Sequence, residues 1–81
     1  MELNRRVVIF LNEKGRDTLQ LAAGIPGESV VAFFYALRTD ESGLWVSSRK
    51  EDGEHWLLVR WDCILAVDVP VGGTPVLEST V

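Results

Sequence analysis

The chain has 81 residues, a net charge of −4 and a single cysteine, and these properties narrow the classes of protein it can belong to. Eighty-one residues suffice for one domain, in which folding buries about 60–65% of the surface of the unfolded chain. One cysteine excludes an intramolecular disulfide, which in so small a domain favours a reducing compartment, the cytoplasm. The net negative charge disfavours nucleic acid as a partner, because a negative surface repels phosphate. A local group of basic side chains is still compatible with this net charge.

The sequence shows no constellation typical of an enzyme, a metal site or a membrane protein. No run approaches the roughly 18 apolar residues of a membrane-spanning helix, so no membrane association is expected. Cys63 lies in an apolar segment and is expected to be a buried thiol, whereas the one histidine, His55, falls in a polar turn. The acidic run at residues 51–54 lacks the alternating spacing of a calcium loop. We therefore expect a protein that is not an enzyme and has no catalytic residue, metal or cofactor.

The first predicted element is a strand at residues 6–11, where β-branched and aromatic side chains follow one another. A turn is expected at residues 12–15. Residues 18–23 then alternate as a strand would, although Asp17 could cap a two-turn helix that ends at Gly24. Because six residues make a poor helix, the sequence favours an extended excursion here.

The apolar run at residues 30–38 is compatible with two structures. Helical spacing, with Ser29 as the cap, is met by Val30, Phe33, Phe34 and Leu37. Five of the nine residues are β-branched or aromatic, which favours a strand. A strand also provides a partner for the next predicted strand, so a long central strand is the prediction and a helix at residues 29–39 in an α+β fold is the alternative.

The carboxyl half gives the clearest prediction. Residues 43–49 and 55–61 flank a polar stretch that contains Asp52-Gly53, a dipeptide typical of tight hairpins. A one-turn break near residues 62–64 then precedes a last strand at residues 65–69.

Together these elements predict an all-β or mainly β fold, a small five-stranded barrel. The barrel is expected to form a single domain over residues 1–70. Residues 71–81 are rich in Gly, Pro, Ser and Thr and are expected to form a flexible tail.

The predicted order of elements resembles the SH3-like small barrels, and its last third resembles the Sm-like branch of them. The resemblance covers residues 30–69 and rests mainly on residues 58–67, an apolar pair, a one-turn break and a resumed aliphatic strand. The acidic bend and aliphatic strand at residues 38–46 add to it. The resemblance implies ring-forming self-association or binding of single-stranded RNA. Bacterial Sm-like RNA chaperones place an aromatic residue, a lysine and a histidine where this chain has Arg60, Trp61 and Asp62, and Asp62 would repel phosphate.

The three tryptophans and the arginine at the break supply the candidate binding residues. Tryptophans most often pack in a core, but they also form binding surfaces, and Trp61 is the better candidate for exposure because both its neighbours are charged. Arg60 would pair with Asp40 or Asp68, or bind an anionic ligand. The candidate binding residues are Arg60, Trp61, Asp62, Trp45 and Arg38.

The sequence thus predicts a non-catalytic binding or assembly module. The last predicted strand, residues 65–69, is poorly protected as a sheet edge, so pairing with another copy of the chain is the expected mode of association. The expected partner is a second copy or another protein. The alternative is an Sm-like protein that binds single-stranded RNA through Trp61, Arg60 and the pair Arg5-Arg6.

Overall fold

The computed structural model describes residues 1–71, which form a five-stranded antiparallel sheet, one α-helix and one 3₁₀ turn. In chain order the elements are β1 (Glu2–Leu11), α1 (Glu13–Ala23), β2 (Val31–Thr39), β3 (Gly43–Lys50), β4 (Gly53–Arg60), the 3₁₀ turn (Trp61–Cys63) and β5 (Ile64–Asp68). The strands are arranged in the order β4-β3-β2-β1-β5. The prediction of a mainly β fold with five strands and a one-turn break is confirmed.

The two edge strands, β4 and β5, follow each other in the chain, and this requires the sheet to curl. In a flat five-stranded sheet the edges would lie about 19 Å apart, at about 4.8 Å per strand step. Only the 3₁₀ turn separates Arg60 from Ile64, and at about 2 Å rise per residue it spans about 8 Å. The sheet therefore curls into a partly open barrel, and its two edges approach each other at this turn.

The inner side of the curled sheet forms the core together with one residue of the helix. In β1 the buried residues alternate, and these are Val7, Ile9 and Leu11. Leu19 of α1 packs into the same cluster. The other buried members of the cluster are Ala32, Ala36, Leu44, Val46, Val59 and Cys63. The expectation that Cys63 is a buried thiol is therefore confirmed.

Residues 31–39 form a strand, so the alternative prediction of a helix at residues 29–39 is wrong. The strand β2 pairs with β1 on one side and with β3 on the other. Its small residues Ala32 and Ala36 point into the core, whereas Phe33 and Tyr35 point outward. This period of two is the strand pattern, and it outweighs the helical spacing of the apolar residues.

The predicted turn at residues 12–15 and the extended excursion at residues 18–23 are both wrong, because the helix α1 occupies this segment. The helix begins earlier than expected because Asn12, rather than Asp17, is its N-cap and accepts a hydrogen bond from the N–H of Gly15 at 2.8 Å. At its other end Gly24 has a φ of 71° and closes the helix. With 11 residues instead of six, and with one leucine in the core, the helix is long enough to be stable in this context.

The first strand also extends further toward the amino terminus than predicted, since β1 begins at Glu2. The predicted flexible tail lies, apart from Val71, outside the described residues. Over residues 1–71, no helix combines the length and the apolar character that crossing a membrane requires.

Candidate functional site

The carboxylate of Asp40 organises the loop between β2 and β3. Its Oδ1 atom accepts hydrogen bonds from the backbone N–H groups of Ser42, at 2.8 Å, and Gly43, at 3.2 Å. Its Oδ2 atom accepts a hydrogen bond from Nε1 of Trp45 at 3.0 Å. The hydrogen bond from the indole of Trp45 is the largest cause that lowers the pKa of Asp40, and the backbone N–H groups add to it.

Trp61, at the start of the 3₁₀ turn, closes onto the same loop. Its Nε1 atom donates a hydrogen bond to the carbonyl oxygen of Asp40 at 2.9 Å, and its backbone N–H bonds to the carbonyl of Ser42 at 3.2 Å. The structure thus brings two of the candidate binding residues, Trp45 and Trp61, to one acidic residue. Both indole N–H groups are engaged within the chain, so any ligand at this end of the sheet would contact ring faces and edges rather than N–H donors.

Asp62 faces the start of α1 rather than the Asp40 loop. Its Oδ2 atom lies 2.7 Å from Nζ of Lys14, and its Oδ1 atom lies 3.8 Å from Nε of Arg60. The hydrogen bond from Lys14 is the largest cause that lowers the pKa of Asp62. Asp62 therefore pairs with both nearby cations, and this weakens the attraction that the turn could exert on a phosphate group.

The remaining candidate, Arg38, lies on β2 directly opposite Trp45 on β3. Its charge is a minor cause of the low pKa of Asp40, after the hydrogen bonds described above. Three of the five candidates thus gather around Asp40, while Arg60 and Asp62 belong to the junction of the 3₁₀ turn with the helix.

One further pair of titratable side chains, His55 and Asp52, lies in the hairpin turn. Within residues 1–71, no group of three or more His, Cys, Asp and Glu side chains is placed to hold a metal ion. Nε2 of His55 lies 2.6 Å from Oδ1 of Asp52 in the hairpin turn, and this hydrogen bond is the largest cause that lowers the pKa of Asp52.

A second surface, on the outer face of the sheet, carries exposed aromatic side chains. One row of residues crosses four neighbouring strands, because each residue is paired with the next one across the sheet. From β1 to β4 the row consists of Arg6, Tyr35, Ser47 and Trp56. Phe33 lies two residues before Tyr35 on β2 and shares its face. Trp56, Phe33 and Tyr35 are 66%, 73% and 43% exposed. We name this surface the outer aromatic face and define it by Phe33, Tyr35, Trp56, Arg6 and Arg49.

Two shallow cavities adjoin the outer aromatic face on the side of Arg6 and Phe33, and Trp56 lines neither of them. One has a volume of about 330 Å³, and its polar lining includes Arg6, Arg49 and Ser47. The other has a volume of about 220 Å³, and its apolar lining includes Val8 and Phe33. Arg6 and Phe33 line both cavities, and the smaller cavity is also lined by Asp68.

Trp61 is exposed, as the sequence pattern predicts, with an exposed fraction of 41%, but Trp56 is more exposed, at 66%. The indole N–H of Trp61 bonds back to the Asp40 loop, which covers part of this side chain. The pairing of β2 with β3 and of β3 with β4 places Tyr35 and Trp56 on either side of the small residue Ser47.

The edges of the sheet form a third feature. The short strand β5 pairs with β1 on one side only, and the register shifts between Phe10 and Leu11 of β1. Leu65, which lies at this shift, is 71% exposed. On the opposite edge, β4 pairs only with β3 among residues 1–71. Within this part of the chain both edges therefore present unpaired backbone groups, which is the property that allows strands of different chains to pair.

The low pKa of Asp40 leads to a prediction for the variant Asp40→Asn. The ionised carboxylate of Asp40 stabilises the folded state. Its contribution to the free energy of unfolding is complete above the pKa of an aspartate in the unfolded chain, about 3.9. This contribution is lost as the pH falls through the lower pKa that Asp40 has in the folded protein. Urea unfolding should therefore show the wild type to be more stable than Asp40→Asn at about pH 7, with a smaller difference at about pH 3.

Glu41→Gln is the matched control, because it removes a charge from the same loop. Glu41 is exposed and takes no part in the hydrogen bonds of Asp40. A difference between wild type and Asp40→Asn that stays the same at both pH values would contradict the role assigned to the ionised carboxylate.

Comparisons of the chain with protein-family models, with curated proteins and with solved structures find no match.

Proposed function

We propose that this chain is a non-catalytic assembly module, a small barrel of the SH3-like, Sm-like type whose copies associate through their edge strands. The observation that carries the proposal is the pair of open edges. The strands β4 and β5 each have a hydrogen-bonding partner on one side only among residues 1–71, and the 3₁₀ turn holds them next to each other.

The strand order supports the assignment to this type of barrel. The strand β1 lies between β2 and β5, and the hairpin of β3 and β4 follows on from β2. The fourth strand ends with the apolar pair Leu58-Val59 before Arg60, and the fifth strand resumes with Ile64 after one turn. The helix α1 occupies the place of the excursion between the first two strands.

Pairing of β5 with β4 of the next copy would satisfy both edges at once. Such an interface is heterologous, because it joins two different surfaces, and it produces a closed ring when the rotation between copies is a simple fraction of a turn. The contact would also cover Leu65, an exposed leucine on the edge strand. A domain of this size gains from association, since its own core is small.

Leu65→Lys tests the proposal, with Leu21→Lys as its control. Both leucines are highly exposed, at 71% and 89%, but Leu21 lies on α1, away from the edge strands. A lysine buried without a partner in the interface costs several kcal/mol, so Leu65→Lys is expected to weaken association about a hundredfold or more. Size-exclusion chromatography with light scattering, at about 100 μM protein, gives the mass of each species.

Wild type and Leu21→Lys are expected to form a multimer of defined size, and Leu65→Lys is expected to elute as a single chain with unchanged circular dichroism. A wild-type protein with the mass of one chain at this concentration would contradict the proposal. So would a Leu65→Lys variant that assembles as the wild type does.

A further inference from the structure

The outer side of the sheet has an apolar surface of the size that marks an interaction site. Phe10 lies on the same face of β1 as Val8 and is 40% exposed. A whole aromatic side chain has about 150–250 Å² of surface, so the exposed parts of Phe10, Phe33, Tyr35 and Trp56 amount to about 450 Å². The largest apolar patch on a typical monomer is about 300–600 Å², and such patches are often functional.

The charged side chains on this side of the sheet carry both signs in equal number. Arg6 and Arg49 are the cations, and Glu54 on β4 and Asp68 on β5 are the anions. Glu54 lies directly opposite Arg49, so these two charges compensate each other within one chain. The four charges sum to zero, although the whole chain has a net charge of −4. This surface therefore adds no net repulsion between two copies, and its charge favours neither an anionic nor a cationic ligand.

The smaller of the two cavities has the lining that suits an arginine side chain. Its volume is about 220 Å³, Val8 and Phe33 form apolar walls, and Asp68 contributes a carboxylate. An arginine buries its aliphatic stem on apolar surface and pairs its guanidinium group with a carboxylate. Arg6 lies at this cavity and is exposed, and within residues 1–71 neither Arg6 nor Asp68 forms an ion pair. A second copy of the chain can therefore supply the arginine.

From this arrangement we infer that two copies of the chain pack their outer aromatic faces against each other about a two-fold axis. The axis lies in the plane of the contact and crosses the strands between Phe33 and Tyr35, so each Phe33 stacks on the partner's Tyr35. Arg6 then faces the partner's Val8, and the partner's Asp68 is one strand step, about 4.8 Å, away from that position. Because a two-fold interface repeats every contact, it contains two aromatic pairs and two ion pairs.

The curl of the sheet keeps this contact weak. The outer side of a curled sheet is convex, so two copies touch mainly over β1, β2 and β3, and Trp56 on β4 lies at the margin. The contact buries less than the roughly 800 Å² per partner of a standard interface, and a dissociation constant of about 1 mM between single copies is expected. Leu65→Lys therefore still elutes as a single chain in chromatography, which dilutes the sample. This association uses a different surface from edge-strand pairing.

Sedimentation equilibrium tests the pairing in the Leu65→Lys background, in which association through the edge strands is weakened. About half of the chains are expected to be in pairs at about 1 mM protein, and few at about 0.1 mM. Adding Phe33→Ala is expected to weaken association about tenfold, because both stacking contacts with Tyr35 are lost. Adding Leu21→Ala, which truncates an exposed apolar side chain on α1, is expected to change nothing.

A charge exchange distinguishes a contact between copies from a contact between Arg6 and Asp68 of one chain. In the same background, Arg6→Glu and Asp68→Lys each place like charges together at both ion pairs, so either variant alone is expected to remain a single chain at about 1 mM. An equimolar mixture of the two variants restores opposite charges at both positions and is expected to form pairs. Asp17→Lys makes the same charge change on the exposed side of α1 and is expected to leave the association unchanged.

The inference is overturned if the Leu65→Lys protein keeps the mass of one chain at about 1 mM, or if Phe33→Ala associates unchanged. It is also overturned if the mixture of Arg6→Glu and Asp68→Lys remains as single chains. Edge-strand assembly is judged separately, by the mass of the wild type at about 100 μM, so a failure of one proposal can be told apart from a failure of the other.

Discussion

Gly43→Ala is expected to lower the free energy of unfolding by about 3 kcal/mol, one of the two largest effects we predict. A Cβ atom at Gly43 would lie 2.2 Å from the carbonyl oxygen of Val59 and 2.8 Å from Cα of Arg60. These are backbone atoms of β4, so relief requires a shift of the strand rather than of a flexible side chain. Gly43 is also held from the other side, because its N–H bonds to the carboxylate of Asp40 and its carbonyl accepts the N–H of Asp40.

Gly27→Ala is the control for this substitution. It makes the same chemical change and reduces the freedom of the unfolded chain to the same extent, but its Cβ would meet only the side-chain end of Gln20, at 3.1 Å. Urea unfolding should find Gly27→Ala close to wild type and Gly43→Ala strongly destabilised. Equal stability of the two variants would contradict the close approach of β3 and β4 at this point.

Ile9→Ala is the second substitution with a large expected effect. Ile9 is completely buried, and β1 is bonded to strands on both sides, with Ile9 paired to Ala32 of β2 and Val67 of β5. Its partner on β2, Ala32, is small, so this neighbouring side chain has little volume with which to fill the cavity left behind. The loss should be about 3–4 kcal/mol, toward the middle of the range for such changes.

Val8→Ala separates this packing effect from a change in strand propensity. Val8 is the next residue on β1, is only half-buried and faces the outer side of the sheet. Its loss should cost less than about 1.5 kcal/mol in the same urea experiment. If Val8→Ala and Ile9→Ala were equally destabilised, the assignment of the inner and outer faces of β1 would be wrong.

The sequence predicted the sheet well where local signals agree with one another. The Asp52-Gly53 turn and its flanking strands correspond to the β3–β4 hairpin, whose register places Lys50 opposite Gly53.

The sequence did not predict the helix α1, because its cap at Asn12 lies within a stretch that also has the composition of a turn. Gly15 has a low propensity for helix interiors, yet it lies in the first turn of α1, where a Cβ would come within 2.2 Å of the carbonyl oxygen of Cys63. Glycine at this position lets the helix approach the 3₁₀ turn, a tertiary requirement that no local pattern reveals.

The candidate surfaces were predictable only in part. The sequence shows that Trp45, Trp56 and Trp61 exist, but their exposure depends on contacts across the sheet. The carboxylate of Asp40 accepts a hydrogen bond from the indole N–H of Trp45, and its carbonyl oxygen accepts one from the indole N–H of Trp61. The second hydrogen bond joins Asp40 to a residue 21 positions away in the sequence. The outer aromatic face likewise depends on the register of β1 with β2 and of β3 with β4, which sequence spacing leaves open.

Hydrogen exchange at the edge strands tests the central claim, that copies of this chain pair through β4 and β5, most directly. In a single chain the amide groups that point away from the sheet on these strands are open to solvent and should exchange quickly. In the assembly they are bonded to a neighbouring copy, so protection at residues 53–60 and 64–68 should rise with protein concentration and be absent in Leu65→Lys. Edge amides that exchange equally fast at about 1 μM and about 100 μM protein, in wild type and Leu65→Lys alike, would contradict the account.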